Sequence, residues 1–397
     1  MSTALIILLK IIFALSALAL LHTYFFYPLL LRLLSAGSKA NPTVFSKEEL
    51  PPVSILMAAY NEEQVIAEKI ESILASDYPP EKIQVLIGSD NSSDRTNSIV
   101  KGFETKFPGL KLIEFSQRTG KVMIVNGLVQ MAAHDILIIT DANVIFDRNT
   151  IYQLVKHFKN DSIALVDTNM INRGLHKGGI SVQEKTYIQA EVFIKNAEGR
   201  IWGAMMGPFG GCYALRKNHF TGVPANFLVD DFYINMRALE KGGKCMNEPG
   251  AKVYEDVSNE LGEEFRRKVR IATGNFQNLS TFSRLLGKFN AISFCFFSHK
   301  VLRWIGPFFM ISAFFSSLAL ASFPNFYFWV CALGLLLPII TLTDIILKSV
   351  NAHIPGLRFI THFISMNFAL FIGFFKYLGG VRSSIWEPTK RNQAKSS

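Results

Sequence analysis

Carboxylates and amides gather where apolar runs stop. The run over 53–59 ends in Tyr60-Asn61-Glu62-Glu63, and the run over 83–87 leads into Ser89-Asp90-Asn91-Ser92-Ser93-Asp94. Ile136-Leu137-Ile138-Ile139 ends in Thr140-Asp141-Ala142-Asn143. Such groups can hold a divalent cation through oxygen or accept hydrogen bonds from a polar ligand. Helix capping accounts for part of the pattern, since Ser92, Ser93 and Asp94 can start a helix. Glu62 and Asp94 read either way. Capping does not account for Asp141, which closes the apolar run Ile136–Ile139 just past Thr140, and Asp90 and Asp141 are the better site candidates. No G-x-G-x-x-G or G-x-x-x-x-G-K-[ST] follows the first apolar run, which disfavours a dinucleotide-binding dehydrogenase or a P-loop NTPase. A metal on strand-end carboxylates is then the natural means of managing phosphate charge. Further along, Asp230-Asp231 stands at a helix start, where the dipole favours acids. Arg267 and Arg270, three apart, share a helix face that suits either a diphosphate or a lipid-facing surface.

These groups need a frame, and the apolar period supplies one. Extended runs over 53–59, 83–87, 110–115, 135–140 and 163–167 alternate with helical spacing over 64–74, 94–107, 122–132 and 149–158. The alternation predicts an α/β domain: a mostly parallel sheet with helices on both faces and ligands at the carboxyl ends of the strands.

The chain has 397 residues, 49% of them apolar and only 18% charged, with a net charge of +10. Its 34 Phe exclude disorder, and 4 Cys exclude a disulfide scaffold. Cys212, Cys245, Cys295 and Cys331 form no C-x-x-C and read as buried hydrophobes in a reducing compartment. No basic run with interleaved aromatics suggests nucleic acid as a partner.

The apolar excess lies at the two ends. Residues 3–34 are apolar except for Lys10, His22 and Arg32, and they end in aromatics and Leu; a retained anchor is expected rather than a cleaved signal peptide. Spans of crossing length are expected over 305–323, 326–347 and 359–378, preceded by an interfacial helix over 289–297. The division expected is an anchor (1–34), a linker (35–52), a catalytic domain (53–287), membrane helices (288–380) and a basic tail (381–397). Arg32, Lys39, Lys288, Lys300 and Arg303 place the middle domain in the cytoplasm of a multi-pass cell-membrane protein. Four crossings would put the tail outside, whereas Arg382, Lys390, Arg391 and Lys395 favour the inside. One stretch is therefore expected to be re-entrant or interfacial, or the N-terminal run does not cross.

In order, these motifs resemble the membrane-anchored family 2 glycosyltransferases of the cellulose-synthase-like superfamily, and the resemblance covers nearly the whole chain. It implies a GT-A fold. It also implies that Tyr60 and Glu62 meet the donor nucleoside, that Asp90 meets the base, and that Lys121 in Gly120-Lys121 lies near the diphosphate. Asp141-Ala142-Asn143 takes the place of the family's Asp-x-Asp and implies Mg²⁺ or Mn²⁺ on Asp141 and Asn143. Gly210 and Gly211 match the segment behind the donor sugar; a glycine turn into an edge strand is the structural alternative. Asp231 matches the general base. Arg267 and Arg270 match the Gln/Arg-x-x-Arg-Trp motif, with Ile271 in place of its Trp. The implied activity is inverting transfer from a UDP-linked sugar to a saccharide or lipid-linked acceptor at the membrane. A processive synthase and an inactive sugar-nucleotide-binding scaffold are the alternatives.

Overall fold

A computed structural model describes residues 1–38, 41–173, 181–256, 261–322, 324–350 and 354–381. Eight strands form one sheet: β1 (Val53–Ala59), β2 (Ile83–Ser89), β3 (Leu110–Glu114), β4 (Ile136–Asp141), β5 (Val144–Phe146), β6 (Ile163–Arg173), β7 (Cys212–Arg216) and β8 (Lys244–Asp256). Before them come α1 (Thr3–Leu21) and α2 (Tyr27–Ser35). Among them lie α3 (Ile66–Leu74), α4 (Thr96–Glu104), α5 (Lys121–Met131), α6 (Thr150–Val155), α7 (Ser181–Trp202) and α8 (Asp230–Glu240). After them follow α9 (Leu261–Phe282), α10 (Ala291–Cys295), α11 (Leu302–Trp304), α12 (Gly306–Leu320), α13 (Phe326–Ser349) and α14 (Pro355–Leu378).

The strand order is β3-β2-β1-β4-β7-β6-β8-β5. β3, β2, β1 and β4 are parallel, as the strand–helix alternation requires. Beyond β4 the sheet is mixed: β7 runs antiparallel to both neighbours, β6 and β8 are parallel, and β5 is antiparallel to β8. The glycine segment 207–211 therefore feeds a strand in the middle of the sheet, not one at its edge.

Helices on both faces explain why the strands read as continuous apolar runs. Every residue of β1 is buried. Leu56, Leu137 and Ile139 face α5 and α8, while Ile55, Met57 and Ile138 face the α3 side. Gly88 lets α5 approach β2, since a Cβ there would stand 2.3 Å from Ile124 Cγ2. All four cysteines are free and buried, as expected.

At the ends, helices over Thr3–Ser35, Phe326–Leu347 and Gly356–Leu378 are long and apolar enough to cross a membrane. The span expected over 305–323 differs. It is α12, with 15 residues, set at 61° to the helical stretch Ala291–Trp304. At ~1.5 Å per residue, α12 falls short of the ~30 Å hydrocarbon core. The break lies at Gly306-Pro307, where a proline without an N–H opens the new helix. The interfacial helix expected over 289–297 begins this bent stretch. Lys39 and the tail residues Arg382, Lys390, Arg391 and Lys395 lie outside the described residues.

Helix α9 of the domain lies along α14, and they pack tightly at Gly373, where a Cβ would stand 2.5 Å from Ala272 Cβ and 2.9 Å from its backbone. Gly373→Ala should therefore destabilise the detergent-purified protein by ~1–3 kcal/mol through overpacking, although alanine is the better helix former. Gly356→Ala on the same helix, with open space around it, should not lower the thermal midpoint. Equal midpoints for the two variants would show that α9 and α14 do not pack this closely.

Candidate active site

Register brings the polar strand ends together: Ala59 pairs with Ser89, and Ala58 with Asp141. Asn61 and Asn91 both turn the chain with positive φ, 51° and 58°. The two turns are tied, as Ser93 N donates to Asn61 Oδ1 (2.8 Å) and Glu63 N to Asp94 Oδ2 (3.0 Å). Asp94 Oδ1 also accepts from Thr96 N (2.9 Å), a turn just ahead of α4, whose N-cap position is Arg95. Glu62 is buried, with its backbone N–H on Thr96 Oγ1.

Asp90 is fully buried, and its oxygens are in use. Thr119 N (2.6 Å) donates to Oδ1, while Gly120 N (3.0 Å) and Arg118 Nε (3.2 Å) donate to Oδ2. The Arg118 guanidinium lies 3.3 Å from the Tyr60 ring centroid. Asp90 thus fastens the 118–120 loop, and Tyr60 with Arg118 forms a flat stacked wall beside it. Gly120 adopts φ 87°, a conformation that favours glycine, just ahead of α5. Arg118 went unread in the sequence; its only signal there was the polar run Gln117-Arg118-Thr119-Gly120-Lys121 between strand and helix.

Next to this wall, Lys121 Nζ stands 2.7 Å from Asp141 Oδ1, with both side chains partly open to solvent. Burial alone would lower the Lys121 ammonium, but Asp141, Asp230 and Asp231 outweigh it and keep it firmly charged. Behind Asp141 lies Lys69, fully buried, which donates to Thr140 Oγ1 (3.0 Å) and to the Val144 carbonyl (2.5 Å). It bridges the two ends of the Asp141–Asn143 turn. Burial pushes its ammonium down to about 7. Its signal was a lysine among the apolar positions of α3. Asn143 Nδ2 donates to Glu255 Oε1 at 3.0 Å.

Asp231 opens α8 with its Oδ1 on the Phe232 N–H (2.8 Å). It shows some surface to the cleft, yet desolvation and then the neighbouring Asp230 push its carboxyl up to about 7, against the pull of Lys121. Gly210 lies against it: a Cβ there would stand 2.7 Å from Asp231 Oδ2. Gly211 instead meets Met170 and Val144. Below, the Tyr213 hydroxyl is buried without a hydrogen-bond partner and lies within the field of Asp230, Asp231 and Asp141. Arg270 feels the same three acids and Arg267, which brings the basic face of α9 to the same cleft. Ile271, half-buried, follows on that helix.

The structure therefore brings Lys121, Asp141, Asp231, Gly210 and Arg270 around one cleft floor, with Tyr60 and Asp90 at one side. Among the described residues, no group of three or more His, Cys, Asp or Glu forms a metal cage.

The family profile for glycosyl transferase family 2 matches residues 54–222. A probable glycosyltransferase, YdaM, from Bacillus subtilis is 25% identical over 236 residues, covering 57% of this chain and 56% of that protein. A poly-beta-1,6-N-acetyl-D-glucosamine synthase of Staphylococcus aureus is 24% identical over 236 residues, covering 58% of this chain and 56% of its own. The chain thus spans about half the length of the curated relatives it matches. A solved mannosyltransferase from Pyrobaculum calidifontis, in complex with GDP-mannose and Mn²⁺, shares the fold with a TM-score of 0.70 at 21% identity, over 93% of this chain and 99% of that one. Residues 54–222 of this chain thus match the glycosyl transferase family 2 profile, on the fold that the Pyrobaculum mannosyltransferase shares.

Proposed function

We propose that the protein transfers a sugar, with inversion, from a nucleotide-sugar donor to a saccharide or lipid-linked acceptor at the membrane surface. The observation that carries this reading is the cleft floor itself. A carboxyl near neutrality, Asp231, shares it with a charged lysine on a strand-end aspartate. Asp231 takes the proton of the acceptor hydroxyl, and Gly210 leaves space for the sugar to approach it. Lys121, Arg267 and Arg270 stabilise charge on the leaving diphosphate. The Tyr60–Arg118 wall stacks the base, and Glu62 flanks the nucleoside.

A divalent cation fits this site only in one form. Asp141 offers one carboxylate, whose Oδ1 already carries the Lys121 ammonium, and Asn143 offers an amide instead of a second acid. That set suits Mg²⁺ or Mn²⁺ completed by phosphate oxygens, which supplies Lewis-acid stabilisation of the diphosphate when bound. The Mn²⁺ of the Pyrobaculum complex supports the same reading. UDP is the expected carrier. The Asp90 oxygens are already in use, which lessens its part in choosing the base, so GDP-linked sugars belong in the same screen.

The catalytic domain lies on the cytoplasmic side of a multi-pass protein. Arg32 and Lys288, both exposed, support this orientation, whereas Lys300 and Arg303 are engaged by Glu191 and count for little. A processive synthase is the second reading, favoured by the names of the Staphylococcus relatives. A donor screen with analysis of product length tests both: one added sugar supports single transfer, a ladder supports the synthase, and no turnover with any donor defeats both.

Three outcomes follow. Asp231→Asn should lower kcat by ~10²–10⁴ while donor affinity stays nearly unchanged; wild-type turnover would remove Asp231 as the base. Because the base acts only when deprotonated, kcat/KM should rise with pH through about 7. A flat profile from roughly pH 5.5 to 8.5 would contradict that poise. Chelation should stop turnover, and without donor Mn²⁺ should bind weakly by titration, since one carboxylate makes no cage. Tight donor-free binding would contradict the phosphate-completed site.

A further inference from the structure

The segment joining α7 to β7, residues 203–211, passes behind Asp231 without regular hydrogen bonding through its centre. Gly210 lies where a Cβ would stand 2.7 Å from Asp231 Oδ2, and Gly207, at φ 74°, lies so close to Phe232 that a Cβ would stand 2.8 Å from its ring. Position 208 is proline and has no N–H. The other central amides are all held by buried side chains. Met206 N donates to Glu198 Oε2 (3.0 Å), Gly207 N to Asn235 Oδ1 (2.9 Å) and Phe209 N to Asp167 Oδ1 (2.9 Å). Asp167 Oδ2 in turn takes Lys195 Nζ (2.6 Å) and Asn247 Nδ2 (3.1 Å), and Lys195 lies over the Phe209 ring.

Glu198 differs from Asp167 in where its second oxygen goes. Oε1 accepts from the Tyr27 hydroxyl (2.7 Å), at the start of α2, and pairs with His299 Nδ1 (2.9 Å), in the helical stretch before α12. Tyr27, Glu198 and His299 are all 0% exposed. His299 Nε2 lies 3.0 Å from Glu191 Oε1 without hydrogen-bond alignment, and Glu191 also holds Lys300 and Arg303. One carboxylate thus bonds the segment behind Asp231 with one oxygen and the membrane-side helices with the other. A soluble domain has no evident need to bury a glutamate here, because satisfying it requires residues from three separated parts of the chain.

We propose that Glu198 is a positioning residue of the transfer reaction, and that through Tyr27 and His299 it makes the alignment of Asp231 depend on the N-terminal helix being seated against the domain. This rests on Asp231 being the base. Loss of the Tyr27 hydroxyl leaves Glu198 Oε1 with His299 Nδ1 as its remaining partner and unties the carboxylate from the N-terminal helix. The acceptor of the Met206 amide is then held less firmly, and Gly207 and Gly210, beside Phe232 and Asp231, shift with it. Displacements of about 1 Å at a reacting centre cost up to ~10²-fold in rate.

The test uses the full chain in detergent or nanodiscs. Tyr27→Phe keeps the ring and removes only the hydroxyl; Glu198→Gln keeps the volume and removes the charge. Each should lower kcat about tenfold with donor KM within about twofold, and the double variant should be no slower than the slower single one, because both break one path. Thermal midpoints report folding separately, and should Glu198→Gln fail to fold, Tyr27→Phe alone carries the test. Unchanged kcat in Tyr27→Phe, or single effects that multiply in the double variant, would overturn the proposal. Asp231→Asn run alongside separates the two ideas. If it retains turnover, the base assignment fails. If it loses turnover while Tyr27→Phe keeps it, only the link through Glu198 fails.

Discussion

The register of β1 between β2 and β4 governs where each charged group in the cleft can stand. Pairing Ala59 with Ser89 and Ala58 with Asp141 ends three strands at one level. A slip of one residue would turn Asp141 to the other face of the sheet and carry the apolar set of β4 with it. That register is enforced by packing: every residue of β1 is buried, and β1 and β4 send alternate residues into two separate cores. The geometry of the cleft is thus a by-product of hydrophobic pairing.

Around this frame, the cleft must keep several carboxylates together. Asp141, Asp230 and Asp231 sense one another, and the repulsion is answered from two directions. Lys121 meets Asp141 from the solvent side, while Lys69 lies sealed beneath the turn that presents it. The surface lysine stays charged because three acids surround it. The buried one is pushed toward neutrality by desolvation, which outweighs the pull of Asp141; its hydrogen-bond acceptors, Thr140 and the Val144 carbonyl, are uncharged. Two lysines of opposite electrostatic character therefore serve one strand end: one offers charge, the other hydrogen bonds.

What could be read in advance follows from the range of the forces involved. β1 to β4 and their helices were legible because burial on both faces leaves continuous apolar runs, and Asp141 was conspicuous because it interrupts one. β7 and β8 were not legible as strands. β7 is a five-residue strand entered through a glycine segment, and the long β8 carries Asn, Glu, Pro and Gly in its middle. Tyr60, Lys121, Asp231 and Arg270 could be named from motif order, and the fold brings them to one cleft. Arg118 and Lys69 carry only weak local signals, and Tyr213 and Glu198 carry none, because the roles of all four depend on contacts between distant segments. The long apolar stretch after 304 was legible as membrane-seeking, but its break at Gly306-Pro307 was not.

The membrane helices bear on the chemistry through the same polar bookkeeping. A cleft floor with three acids and one lysine repels a diphosphate, so donor binding has to bring in cations from elsewhere. Arg270 and Arg267 come from α9, and α9 is held in place by α14 through the close contact at Gly373. The backing segment at 203–211 is held through Glu198 by Tyr27 and His299. The positive side of the cleft and its rear wall both rest on helices outside the sheet. The geometry of the cleft therefore depends in part on helices long and apolar enough to cross a membrane, and not on the sheet alone.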